Sequence, residues 1–252
     1  MRVGPFETGS VYQGDCLELM RALPDGCVPL IWTDPPYGHA NQDGDLASAR
    51  VGVDGARQQE AAPIANDRPE DYEPLLRGFI AEAARVMRPD SCCCCCCGGG
   101  GPSPTFARLA MWLDDALSFF HAVVWDKSGA GHGLGWRYRR NYEFVMVAHR
   151  RGGKLAWNEA APAVPNVACV TPPRDRMHPN EKPVDLVRWF IRNHTQPGDL
   201  VLDPFAGSGT TGVAAALEGR EFLGFELDPK WVAVANARIA KEAARAQGAL
   251  AL

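Results

Sequence analysis

The sequence predicts an α/β protein built on one sheet. Two observations carry this. Short apolar runs of strand length alternate with amphipathic helical patterns along most of the chain. Three of those runs also end abruptly on a carboxylate, at Asp34, Asp203 and Glu226, with turn-forming residues after the first two. At 252 residues the chain fits one large domain, or a domain with a small insert.

Taken in order, the candidate strands are Val11–Gln13, Pro29–Thr33, Cys92–Cys97, His121–Trp125, Glu143–His149, Leu200–Asp203 and Phe222–Glu226. Helical patterns fit between several of them. Residues 71–87 place Tyr72, Leu75, Leu76, Phe79, Ala83 and Val86 on one face. Residues 183–194 open with Pro183 in a first-turn position, and 210–219 close on Gly219 as a C-cap. Residues 228–246 form the final helix, with Asp228 as N-cap and Pro229 in the first turn. Residues 38–70 lack periodicity and read as a mobile loop. Residues 150–176 carry Pro162, Pro165, Pro172 and Pro173 and read as a surface insert.

Composition is that of a soluble globular protein, with 46% apolar and 22% charged residues. No apolar run reaches the ~20 residues of a membrane span, and "MRVGPFETGS" has no apolar signal core. The expected compartment is the cytoplasm. Net charge is −4, yet Lys127 to Lys182 holds ten Lys/Arg against four acids, a local balance of +6. That stretch is either a solvated basic face or a phosphate-contacting surface.

Six of the nine cysteines are consecutive, Cys92 to Cys97. Side chains in a strand alternate between faces, so six neighbours cannot converge on one ion. The run is read as a buried strand of small apolar residues, or as the product of a repetitive coding sequence, and no metal centre is expected. So many thiols suit a reducing compartment.

Two motifs carry chemistry. In "VLDPFAGSGTTGVAAALEGREFLGFELDP" a strand runs into Asp203, then a turn with Gly207 and Gly209, then a helix, then a strand ending on Glu226. Glycines let a ligand approach the backbone and meet helix-start N–H groups. An acid after the second strand can accept both hydroxyls of a ribose. The order points to an adenosine-bearing ligand. It is not G-x-G-x-x-G, and the chain has no P-loop, so NAD and ATP chemistry lose ground.

The other motif is "TDPPYG", with Asp34, Pro35, Pro36 and Tyr37. Asp34 and the Pro35 carbonyl place two hydrogen-bond acceptors side by side at a strand end. Pro36 restricts Pro35 to extended backbone and fixes its own φ, so the acceptors are set in advance. Tyr37 offers a ring on which a planar ligand can stack.

With both motifs present, the chain resembles the amino-methyltransferases of DNA, in their permuted β group, where DPPY precedes FAGSG. The resemblance covers most of the chain. It implies a Rossmann-like, circularly permuted, seven-stranded and mainly parallel sheet with helices on both faces, as one methyltransferase domain over 1–252. It implies S-adenosylmethionine as cofactor, held by Asp15, Cys16, Lys182, Asp203, Phe205, Ala206, Gly207, Ser208, Gly209, Thr210, Glu226 and Leu227. Double-stranded DNA is the implied partner, contacted by Arg137, Arg139 and Arg140 within a short target-recognition insert, 129–176. The Asp of DPPY resembles adenine-directed members and implies N6 transfer. Cytosine N4, and a catalytically degenerate DNA-binding protein, are the alternatives. A restriction endonuclease partner and homodimerisation stay open, and no membrane partner is expected.

Overall fold

A computed structural model describes residues 1–36, 69–98, 105–127, 141–173 and 181–250. The expected mobile loop lies almost wholly outside them, as do Tyr37, Arg137, Arg139 and Arg140. Ahead of the main sheet, β1 (Arg2–Val3) and β2 (Phe6–Glu7) pair antiparallel. The main sheet is formed by β3 (Ser10–Gln13), β4 (Val28–Thr33), β5 (Met87–Gly98), β6 (Ser118–Asp126), β7 (Tyr142–His149), β9 (Val167–Cys169), β10 (Leu200–Asp203) and β11 (Glu221–Glu226). Their order is β3-β11-β10-β4-β5-β7-β6-β9, with β8 (Lys154–Leu155) paired to β5. β7 runs antiparallel to both neighbours, and the other pairings are parallel. All seven expected strands are present. The segment read as a surface insert instead contributes strands: β9 extends the sheet beyond β6, and β8 pairs with Asp90 and Ser91 of β5, ahead of the stretch of β5 that pairs with β7.

Among the described residues, six helices cover both faces. α1 (Cys16–Arg21), α2 (Pro69–Val86) and α3 (Thr105–Ala116) lie on one side, packing Met20, Phe79, Ile80 and Leu113 against Ile31, Leu202 and Phe225. α4 (Val184–His194), α5 (Thr210–Leu217) and α6 (Pro229–Leu250) lie on the other. They pack Leu186, Phe190, Ala214 and Ile239 against Leu30, Trp32 and Val201. The alternating hydrophobicity of the strands is thereby used on both faces. The cysteine run obeys the same period: Cys93, Cys95 and Cys97 face one core, and Cys92, Cys94 and Cys96 the other. Burial pushes the Cys97 thiol up to about 12 and those of Cys95 and Cys96 well upward. They pack as neutral groups.

Three helical details differ from expectation, the first being that α3 has no counterpart among the expected helices. Pro183 is the N-cap of α4, not a first-turn residue, since its ψ of 133° is extended. α1 was not expected. It is a short helix whose start is secured by the Asp15 side chain, which accepts from the N–H groups of Leu17 and Glu18. At the far end of the chain Asp228 caps α6 as expected, its carboxylate accepting from Lys230 N at 2.8 Å.

The connections place the functional edge. From β10 the chain passes through α5 to β11, on one side of the pair β10–β4. From β4 it passes through α2 to β5, on the other side and across the other face. The two crossovers diverge between β4 and β10, and a crevice opens there at the carboxyl ends of the strands. Asp34 and the glycine turn both stand at that point.

Candidate active site

The crevice is built around Asp203. Its side chain is buried, and Oδ1 accepts from Thr33 Oγ1 at 2.7 Å and from Phe205 N at 3.1 Å. Oδ2 accepts from Thr211 Oγ1. Thr33 is the residue before Asp34, so this one carboxylate ties the end of β4 to the start of the glycine turn and to α5. Burial raises the Asp203 carboxyl to about 6, against the lowering effect of its three donors. Its three donors join the end of β4, the glycine turn and α5.

The glycine turn follows. Gly207 has φ +48° and open space where a Cβ would stand. Gly209, the N-cap of α5, has φ +80°, and a Cβ there would come within 2.8 Å of Ala235. The first glycine leaves room above the turn, and the second lets α6 pack behind it. Ala206 N donates to Phe225 O at 2.9 Å, and Gly224 of β11 makes space for Ala206. Phe205 stacks edge-on against Phe79 at 5.7 Å. Arg238 of α6 reaches Ser208 O, Ser208 Oγ and Thr210 Oγ1 at 3.2–3.3 Å. The turn is thus held from beneath while its upper side stays open.

Glu226 closes the cradle. Its carboxylate accepts from Gly207 N and from Asp228 N, each at 2.9 Å. Each oxygen retains a second lone-pair site toward a ligand. Burial pushes its carboxyl upward. Leu227 beside it is exposed. Asp15 sits at the neighbouring strand end, after β3, with one oxygen used in capping α1. Cys16 is buried, and burial together with Asp15 pushes its thiol up to about 12, so it is a packing group.

Asp34 stands across the crevice, half-buried, with Pro35 buried beside it. Its carboxylate accepts from Lys182 Nζ at 2.6 Å. Lys182 also lies 3.2 Å from Glu143 Oε2, and Lys127 Nζ donates to the other Glu143 oxygen at 2.6 Å. The Lys182 side chain is only 7% exposed, so this is a buried ion chain and not a surface bridge. The two carboxylates raise the Lys182 ammonium despite burial. The two lysines lower the Glu143 carboxyl, again against burial. A permanently charged ammonium therefore holds one Asp34 oxygen, and the carboxylate points in a fixed direction.

Several of these residues escaped the sequence reading. Lys182 was expected near a cofactor, and the structure brings it to Asp34. Its neighbour Glu181 bonds Arg238 at 2.6 Å. Two adjacent residues thus connect to the two motifs, one through Arg238 and the glycine turn, the other through Asp34. Thr33, Glu143, Lys127 and Arg238 had no local signature. Tyr37, Arg137, Arg139 and Arg140 lie outside the described residues.

A profile of the DNA methylase family matches residues 28–169 and 168–237. YubD of Escherichia coli strain K12, which carries a provisional methylase name, is 29% identical over 238 residues, 94% of this chain and 93% of its own. The type II methyltransferase M.Cfr9I of Citrobacter freundii is 28% identical over 278 residues, covering 92% and 88%. Among solved structures, the cytosine-N4-specific PvuII DNA methyltransferase superposes with a TM-score of 0.68 at 21% identity, over 96% of this chain and 94% of that one. M1.HpyAVI, in complex with S-adenosylmethionine, does so at 0.64 and 23%, over 91% and 98%. These likenesses carry the fold, and the profile spans both motifs that meet at the crevice. The chain belongs to the DNA methylase family.

Proposed function

We propose that this protein transfers a methyl group from S-adenosylmethionine to adenine N6 in double-stranded DNA. The observation that carries the reading is the meeting of Asp34 and the open glycine turn across one crevice, locked by the Thr33–Asp203 bond of 2.7 Å.

The residues present fit the cofactor. Gly207 leaves open space above its backbone, and Glu226 keeps acceptor sites for ribose hydroxyls. Asp15 stands at the next strand end, where the adenine would lie. When bound, S-adenosylmethionine supplies the electrophilic methyl.

The chain's own groups do the rest. Asp34 accepts one N–H of the target amine, and the Pro35 carbonyl accepts the other. Lys182, held by Glu143, keeps the carboxylate oriented and charged. Fixed acceptors cost no reorganisation as positive charge develops on nitrogen. Asp34 then accepts the proton that the methylated nitrogen releases. Tyr37 stacks on the extruded base, and Arg137, Arg139 and Arg140 contact phosphates.

Adenine is favoured by the aspartate of the Asp-Pro-Pro-Tyr motif. Cytosine N4 is the second reading, because a cytosine-N4-specific enzyme shares the fold over most of both chains. The test is to incubate the protein with labelled S-adenosylmethionine and unmethylated duplex DNA, digest to nucleosides and identify the labelled one. N6-methyladenine is the expected product. N4-methylcytosine would keep the mechanism and correct the base. Cofactor binding without label on any of several unmethylated genomes would overturn the catalytic reading in favour of a DNA-binding protein without turnover.

A further inference from the structure

We propose that Cys92, Cys94 and His194 form a binding site for a thiophilic divalent cation of the zinc class. Cys92 and Cys94 are two apart on β5, so both point to the same face, and their sulfurs lie 3.2 Å apart. His194, the last residue of α4, comes down on that face. The three donor atoms all lie within 4.8 Å of one another, and all three residues are buried. Six adjacent cysteines cannot converge, but every second one can. The third ligand comes from a hundred residues downstream, where spacing gives no hint of it.

The histidine is prepared for the role. Its Nδ1 lies 2.7 Å from the Ala156 carbonyl. A carbonyl only accepts, so Nδ1 carries the proton and Nε2 carries the lone pair. The ring is stacked on Phe190 at 6.3 Å and met edge-on by Trp157 at 5.2 Å, which fixes its plane.

Charge and access agree. Two thiolates and a neutral imidazole neutralise a divalent ion, so the filled site buries no net charge. Among the described residues the cluster has three members, and a water completes a tetrahedron. A cavity of about 400 Å³, lined by Phe120, Val147, Trp157 and Trp189 among others, reaches His194. Two sulfurs on one tetrahedral zinc stand about 3.8 Å apart, given Zn–S near 2.3 Å. Binding would therefore spread the pair by roughly half an ångström. The site would clamp α4 to β5. Cys92 is paired with Leu30, four residues before Asp34, or about 13 Å back along the sheet from it.

The test uses the full chain, reduced and stripped with a chelator, then titrated with Zn²⁺ and with Co²⁺. One Zn²⁺ per chain, a higher Tm, and a thiolate charge-transfer band with Co²⁺ are expected. Cys92→Ser, Cys94→Ser and His194→Gln should each lose at least the roughly 10–100-fold in affinity that removing an outer partner costs. Cys93→Ser, on the opposite face, should bind normally. X-ray absorption on the zinc-loaded wild-type protein, reading two sulfurs and one nitrogen, covers the case where a variant fails to fold. Substoichiometric binding by the reduced wild-type protein, unchanged binding in His194→Gln, or uptake of Cu⁺ with refusal of Zn²⁺ would overturn the proposal.

Discussion

Asp34 is bonded to Lys182 at 2.6 Å, and removing either partner has a different consequence. Asp34→Ala removes the acceptor that meets the amine. Methyl transfer should fall by at least about 10²–10³-fold, the cost of losing one preorganised electrostatic group. Binding of S-adenosylmethionine, read by calorimetry, should be unchanged, because the cradle lies across the crevice. Lys182→Met instead leaves Asp34 and Glu143 as neighbouring half-buried carboxylates. Breaking a buried pair from one side costs about 3–5 kcal/mol, which urea unfolding would read. Glu143 adds a pH signature. Its folded pKa lies below 4.5 in the wild-type protein, so it stabilises above that pH and loses the contribution as pH falls further. In Lys182→Met that contribution should shrink.

The glycine turn between β10 and α5 separates ligand from framework within three residues. Gly207 and Gly209 both have positive φ, so alanine at either carries a backbone cost of about 1–2 kcal/mol. Only at Gly209 would the new Cβ also strike Ala235, at 2.8 Å. Gly207→Ala should keep most of its stability and bind S-adenosylmethionine at least about tenfold more weakly, since one 1.4 kcal/mol contact is that factor. Gly209→Ala should show the reverse balance, with the larger drop in Tm. Equal losses of affinity and stability in both variants would mean that the turn is structural throughout. The same segment shows why α5 starts where it does: its N-cap has no side chain, and the turn's own backbone and Arg238 do the holding.

Global stability should carry the mark of Asp203, which joins β4, β10 and α5. Its folded-state value of about 6 stands above the ordinary 3.8. A raised carboxyl favours the folded state below 3.8, and that contribution is lost as pH rises through about 6. At neutral pH the ionised, buried group costs up to about 3 kcal/mol relative to acid. Asp203→Asn should therefore gain on the wild-type protein as pH rises from 4.5 to 7.5, in paired urea titrations. No such divergence would mean that the donors around Asp203 fully offset its burial. The effect is global because, among the described residues, both cores meet on β4, β5 and β10.

The sequence by itself determined the α/β class, seven strands of the main sheet, four of the helices and the two motifs, because those rest on local period and on turn chemistry. Alternation in a strand, a glycine before a helix and a proline after a carboxylate act over a few residues and can be read there. It missed α1, whose six residues are too few for a period, and α3, which follows a Gly/Pro stretch. Only the tertiary structure decided which side chains meet. Lys182 and Glu143 reach Asp34 from 148 and 109 positions away, and Thr33 meets Asp203 across 170. His194 joins Cys92 and Cys94 by the docking of a helix on a strand. Such contacts depend on strand order and on the hand of the crossovers, which sum the whole chain and leave no mark on any short stretch of it.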